Sequence, residues 1–274
     1  MLIFCCGLMR SGSTVQYKIT ESLVQKLEKG KGYGWLPHIE NREELFSLAT
    51  EKDADNYYIV KIHGYSPHFG DLIAQNQAKA IYVYRDLRDV VASFMSWRAT
   101  DFNGVIRERW IEKVLKDSQN WESLPDIHIS QYETLIGDLR GEVCRIADYI
   151  GLDVGEDIIE QVADECSIQK TKQKMQAMEK TGLNLDTKSI LHKNHIKSGK
   201  AKSYLGELTP AQIAFVEAKS ALWMNAHTYD LDYRNPVYRQ LQSLKAIVDQ
   251  IISDFIFYAR RSKSKIDRRL RSSP

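Results

Sequence analysis

The chain has no long apolar run and little cysteine, and each scarcity narrows what it can be. Within its 274 residues, no window approaches the ~20 apolar residues that a membrane-crossing helix needs. The apolar opening, Leu2 to Cys6, is only a few residues long and follows no basic segment, so it reads as part of a fold and not as a secretory leader. The four cysteines, Cys5, Cys6, Cys144 and Cys166, include no pair at zinc-type spacing, and a metal site is not expected. Adjacent Cys5 and Cys6 suit small buried hydrophobes better than a disulfide framework. The expectation is a reducing, cytoplasmic setting. No internal repeat is visible. Net charge is also slight, +2, but unevenly spread. Seven basic residues against Asp267 alone give residues 260–274 a charge of +6, leaving −4 for residues 1–259. The body is mildly acidic and the basic balance sits in an appendage.

What is present begins at the first residues. Leu2 to Cys6 predicts a buried strand, too short for a helix and ended by Gly7. A turn from Gly7 to Gly12 follows, and then an amphipathic helix carrying Val15, Ile19, Leu23 and Leu27. Strand, glycine loop and helix N-terminus together present backbone N–H groups to a phosphate-like anion. The spacing Gly7-x-x-x-x-Gly12-Ser13-Thr14 is that of a P-loop, except that Ser13 stands where the NTPase motif has lysine. That lysine reaches the β/γ-phosphates, so an ordinary ATPase or kinase is disfavoured. The loop's own cation, Arg10, lies on the other side of Gly12.

Further along, Gly30 to Gly34 reads as loop-rich and residues 40–48 as a short helix. Tyr57–Lys61 and Ala80–Tyr84 read as strands whose nearly continuous apolar character fits a parallel sheet covered on both faces. Asp86 to Trp97 predicts a helix, Ile127–Ser130 a short strand, and Leu139–Ile150 an amphipathic helix stopped by Gly151. Gln169 to Ser203, polar, lysine-rich and poorly periodic, is expected to be a surface loop or lid. Strands alternating with helices imply an α/β three-layer fold on a parallel sheet.

Two further segments carry candidate chemistry. Arg85 falls at a strand's carboxyl end, where open α/β sheets bind ligands. Ser93 lies two turns along the next helix, so that a guanidinium fork and a hydroxyl can converge on one phosphate. Asp89 could orient Arg85 or cap the helix, and an Arg85–Asp89 pair could equally serve stability alone. In Lys61-Ile62-His63, strand alternation turns the lysine and histidine to the same side. Beside an anion loop, His63 is a candidate general base; a purely structural histidine is the competing reading.

Taken together, these segments resemble the sulfotransferases that use 3′-phosphoadenosine 5′-phosphosulfate (PAPS). The family's Pro-Lys-Ser-Gly-Thr-Thr-Trp loop is similar to Met9-Arg10-Ser11-Gly12-Ser13-Thr14-Val15, with Arg10 in the lysine's place. Its Lys-Thr-His strand end, whose histidine is the base, resembles Lys61-Ile62-His63. Its arginine and serine for the 3′-phosphate match Arg85 and Ser93. Tyr132-Glu133 is similar to a Tyr-Glu pair on the adenine side, Cys166-Ser167-Ile168 stands for Thr-Ser-Phe, and His195 to Lys200 resembles the Arg-Lys-Gly stretch closing over the 3′-phosphate. The resemblance runs from residue 2 to about 225. The family's two adenine-stacking aromatics are Val15 and Ile168 here, which implies aliphatic packing of the base.

The resemblance implies sulfonyl transfer from PAPS to an acceptor hydroxyl or amine, with no metal. His63, Lys61 and Arg10 would be catalytic. Arg10, Ser11, Gly12, Ser13, Thr14, Arg85, Ser93, Tyr132, Lys197, Ser198 and Gly199 would bind the donor. An acceptor pocket is expected from residues 32–39, residues 65–69, Trp97 and the lid. A nucleotide kinase or NTPase with a degenerate loop, and an inactive nucleotide-binding protein of the same fold, are the alternatives. The expected organisation is a catalytic domain at 1–235, an amphipathic helix at 236–259 and a disordered basic tail at 260–274. Val237, Leu241, Leu244, Val248, Ile251, Phe255 and Tyr258 alternate at four- and three-residue steps. That stripe suits packing on the chain's own domain or a homodimer seam; the basic tail, which could contact an acidic membrane surface or nucleic acid, is left unassigned, nucleic acid being the less favoured.

Overall fold

The computed structural model describes residues 1–36, 56–182, 185–186, 190–192, 199–249 and 251–252. Five parallel strands form its main sheet: β1 (Leu2–Gly7), β2 (Gly30–Trp35), β3 (Tyr57–Lys61), β4 (Ala78–Tyr84) and β5 (His128–Gln131). Their spatial order is β2-β3-β1-β4-β5. The first strand is therefore central, its Phe4 opposite Val60 on one side and Ala80 on the other. Both neighbours of β1 belong to crossover units wound to opposite sides, which opens a crevice at the carboxyl end of β1.

Alternation along β1 explains the three layers. Ile3 and Cys5, with Ile59 and Ile81, face a helical layer of α1 (Ser13–Lys26), α7 (Leu139–Ile150) and α8 (Glu156–Cys166), meeting Ile19, Leu23, Val143, Ile146 and Val162. Leu2, Phe4 and Cys6 face the other way, toward Phe69 and Leu72 of α2 (Pro67–Ala74) and Trp121 of α5 (Trp110–Glu122). A strand buried on both faces has no polar position, which is why Leu2 to Cys6 reads as an unbroken apolar run. A third cluster packs α3 (Leu87–Arg98) and α4 (Phe102–Arg107) against α10 (Pro210–Ala226) through Val90, Val91, Phe94, Phe102, Phe215 and Met224.

Three segments depart from the sequence reading. Gly30–Trp35 is an edge strand and not a loop, with a register irregularity between Gly32 and Gly34. Its glycines allow close approach: a Cβ on Gly32 would lie 2.1 Å from both the Tyr17 hydroxyl and a Glu21 carboxylate oxygen. The start of the expected lid is helical, α9 (Ile168–Lys180), capped by the Ser167 hydroxyl. Its apolar anchors are Met175 and Met178, too few to print a period on a lysine-rich segment. Beyond it Leu185–Asp186 (β6) pairs antiparallel with Leu191–His192 (β7). The helix expected from Asp86 begins one residue later with Asp86 as its cap. The helix expected at residues 40–48 and the basic tail lie outside the described residues.

Residues 236–249 are helical (α11). The helix rests on the third cluster through Ala246 and Ile247, with Ser243 also buried. The regular stripe does not make this contact: Val237, Leu241, Leu244, Val248 and Ile251 are all more than half exposed. No helix among the described residues is long and apolar enough to cross a membrane.

A candidate anion and transfer site at the carboxyl end of the sheet

The loop between β1 and α1 folds on its own backbone and on β4. Ser11 donates its amide to Leu8 O at 3.0 Å, and its hydroxyl bridges Leu8 O at 2.6 Å and Val83 O at 2.9 Å. Ser11 is thereby committed to loop shape and not to a ligand. Gly12 adopts φ 103°, and a Cβ there would meet the Tyr132 ring at 2.6 Å. Arg10 itself takes the left-handed φ of 75°, an uncommon conformation for a side-chain-bearing residue that tends to mark functional sites. The amides of Ser13 and Thr14 then open α1, and the first amides of a helix have no acceptor within it. They point a partial positive charge at the crevice.

Three cationic side chains converge there. Lys61, at the end of β3, donates from Nζ to the Thr14 hydroxyl at 2.7 Å. Burial, then the neighbouring Arg10 charge, lower the Lys61 ammonium to a pKa of about 7. Arg10 donates from Nε to the Ser93 hydroxyl at 3.1 Å and lies 5.8 Å from the Trp97 ring centre. Burial and the Arg85 charge bring its pKa down to about 10. Crowding like charges is costly unless an anion completes the set.

Arg85 follows β4 and stacks 4.3 Å from the Tyr132 ring centre. Its NH2 donates to Lys200 O at 2.9 Å and faces Asp89 Oδ2 at 3.3 Å. Its buried Nε has no hydrogen-bond partner among the described residues. Asp89, fully buried on α3, also accepts from Lys202 N, Ser203 Oγ and Tyr204 N, each at 2.9 Å. Tyr132 donates to Gly199 O at 3.1 Å. Asp89 therefore both orients Arg85 and fastens segment 199–204 beside it, while helix capping falls to Asp86. The sequence singled out Arg85, Asp89 and Tyr132, and the resemblance set residues 195–200 over the same phosphate; what it did not show is that the Lys200 and Gly199 carbonyls hold Arg85 and Tyr132.

His63 sits two residues beyond Lys61, half-buried, with Nδ1 3.2 Å from Gly7 O. A carbonyl only accepts, so Nδ1 carries the proton and Nε2 keeps its lone pair. Withdrawal from water, then the Lys61 charge, pull the imidazole down to about 3, so the ring is neutral at ordinary pH.

The structure thus brings together Arg10, Gly12, Ser13, Thr14, Lys61, His63, Arg85, Ser93, Tyr132 and Gly199. Lys197 and Ser198 lie outside the described residues, as do His38 and Ile39 of the expected acceptor pocket. Two other expected lining residues are placed differently. Phe69 is buried and stacks on Trp121 at 5.6 Å, and Tyr65 meets the same indole edge-on at 5.3 Å. Phe69 serves the core beneath the crevice, and Tyr65 packs on that core while staying partly exposed.

Comparison with known proteins shows the family and the fold. Residues 2–227 match the family described as "Sulfotransferase domain", and the chain belongs to that family. A mouse sulfotransferase, SULT7A1, complexed with PAP is similar in fold, with a TM-score of 0.61 at 16% identity over 90% of this chain and 88% of that one. Retinol dehydratase, in a complex with androsterone and the inactive cofactor PAP, gives a TM-score of 0.56 at 20% identity over 85% and 83%. No curated protein sequence matches.

Proposed function

We propose that the protein transfers a sulfonyl group from PAPS to an acceptor hydroxyl or amine. The observation carrying this reading is the His63 tautomer: Nδ1 bonded to Gly7 O leaves Nε2 able to accept a proton beside a cation-lined anion loop. The residues suit a donor with two phosphate positions. The Gly12–Thr14 amides and Lys61 would hold the 5′ end, Arg85 with its spare Nε and Ser93 the 3′-phosphate, and Arg10 spans the two. Tyr132 and segment 199–204 frame the nucleotide side. When bound, the donor supplies a sulfonyl group attached to a phosphate leaving group.

The chain's own residues do the remainder. His63 Nε2 takes the proton from the acceptor as it attacks. Lys61, fixed against Thr14, sits where charge accumulates on the departing phosphate, and preorganised cations of this kind lower such barriers without reorganising. An anion in the site also counters the cations that depress His63, so the base strengthens when the donor arrives. A kinase reading fits less well. Ser13 replaces the phosphate-reaching lysine, and the Thr14 hydroxyl, which would ligate magnesium in such enzymes, is engaged by an ammonium.

Calorimetry with 3′-phosphoadenosine 5′-phosphate against AMP tests the donor assignment. A charge-assisted contact to the 3′-phosphate is worth roughly 1.5–3 kcal/mol, or about 10- to 150-fold in affinity. Equal affinities would refute the assignment. Turnover of labelled donor over acceptor pools then identifies the acceptor class.

A further inference from the structure

The C-terminal helix α11 carries a regular apolar stripe on its outer side. Ser243, Ala246 and Ile247 attach it to the body, so the fold already holds the helix in place with its other face turned outward. That face bears Val237 (68% exposed), Tyr238, Leu241, Leu244, Val248, Ile251 (61%) and Ile252. At 100° per residue these side chains cover roughly 140° of the helix circumference. A two-stranded seam is narrower, confined to positions repeating at four and three residues. Tyr238 and Ile252 widen this face beyond such a seam. Ile247, which a seam would place on its flank, is already turned to the body.

The sequence that follows has matching chemistry. Phe255, Ile256, Phe257 and Tyr258 extend the apolar character, and residues 260–274 then carry +6 while the rest of the chain carries −4. Two copies joined in parallel would bring two such tails together. A surface that accepts apolar side chains and is itself anionic satisfies both features at once. One apolar anchor plus one polybasic segment is the combination that gives stable attachment to a bilayer surface, each basic residue adding about a 5-fold gain.

We propose that the outer face of α11, together with the basic tail, docks the protein on an anionic lipid surface. The helix lies in the headgroup plane: it is amphipathic and does not span. This inference stands apart from the donor and base assignments, because none of its residues enters the transfer site.

The test is co-sedimentation of the full chain with vesicles of phosphatidylcholine alone and of phosphatidylcholine with phosphatidylserine. Binding is expected only to the second, weakening steeply with salt. Leu244→Glu and Val248→Glu, exposed positions that leave the domain fold intact, should each weaken it roughly tenfold or more. Replacing Arg260, Arg261, Lys263 and Lys265 with serine should do likewise. Circular dichroism and melting temperature verify that the variants are folded. Equal binding to both vesicle types, or no loss in Leu244→Glu, would overturn the proposal. So would a dimer by light scattering that Leu244→Glu dissolves without any vesicle binding, an outcome assigning the face to a second copy.

Discussion

In the proposed reaction His63 and Lys61, two positions apart, divide one task. His63→Ala should lower transfer by about 10²–10⁴-fold, while calorimetry finds nucleotide binding nearly unchanged, because the base acts on the acceptor. Parallel loss of binding would make the histidine structural. Lys61 makes a second prediction, through pH. Its folded-state pKa of about 7 lies below the ordinary lysine value of 10.5, so the buried ammonium destabilises the empty protein. That cost is full below pH 7 and fades as pH rises toward 10.5. Lys61→Met should therefore raise the melting temperature at pH 6 and much less at pH 10, while abolishing transfer. Conversely, a bound anion lifts the lysine pKa. Binding near pH 8 should take up a proton, seen as a dependence of calorimetric heat on buffer ionisation enthalpy, and affinity should fall as pH climbs above 7.

At the scale of elements, the site is a meeting of strand ends with one later segment, and helix α3 joins them. Asp89 on that helix receives three hydrogen bonds from residues 202–204 and faces Arg85. Asp89→Ala should cost about 3 kcal/mol of stability, since it removes the carboxylate facing a buried guanidinium and strands the buried Tyr204 amide along with the partly buried Lys202 amide. It should also weaken 3′-phosphoadenosine 5′-phosphate binding more than AMP binding, measurable by chemical denaturation and calorimetry on the same variant. The strand ends were readable beforehand. Leu2–Cys6, Tyr57–Lys61 and Ala80–Tyr84 are nearly apolar runs that stop at or just before chemistry-bearing residues, and local pattern suffices to see them, though β4 in fact begins at Ala78. Edge strand β2 was not readable, because Gly30, Gly32 and Gly34 signal a turn by composition, and only the backbone partner on β3 makes them a strand. Helix α9 was hidden for a related reason: two methionines are too sparse a stripe. The contacts of Asp89 with residues 202–204 and of Tyr132 with Gly199 depend on chain separations of more than sixty residues, which no local pattern reports.

For the molecule as a whole, the C-terminal quarter braces the body behind the site. Arg88 pairs with Asp86 and Glu217 at 2.7 Å each, and Glu217 accepts the amides of Asp232 and Tyr233. These ties are complete before α11 begins, and the expected boundary near residue 235 is put to the test by truncation. Truncation after Asn235 should leave nucleotide binding within about twofold. It should nevertheless lower the melting temperature by several degrees, at roughly 2–4 °C per kcal/mol, as the surface under Ala246 and Ile247 is uncovered. Loss of binding in that variant would place the boundary further on.

The central position of β1 has a consequence in time. β1 leaves the ribosome before both of its neighbours in the sheet, β3 and β4. At ordinary translation rates of about 5–20 residues per second, Leu-Ile-Phe-Cys-Cys waits roughly 4–15 s for the second of them. Until β3 emerges both edges of β1 are unpaired, and the edge that β4 will cover stays bare to the end of that interval. Newborn chains should therefore be captured by a holding chaperone, and released only as β4 emerges.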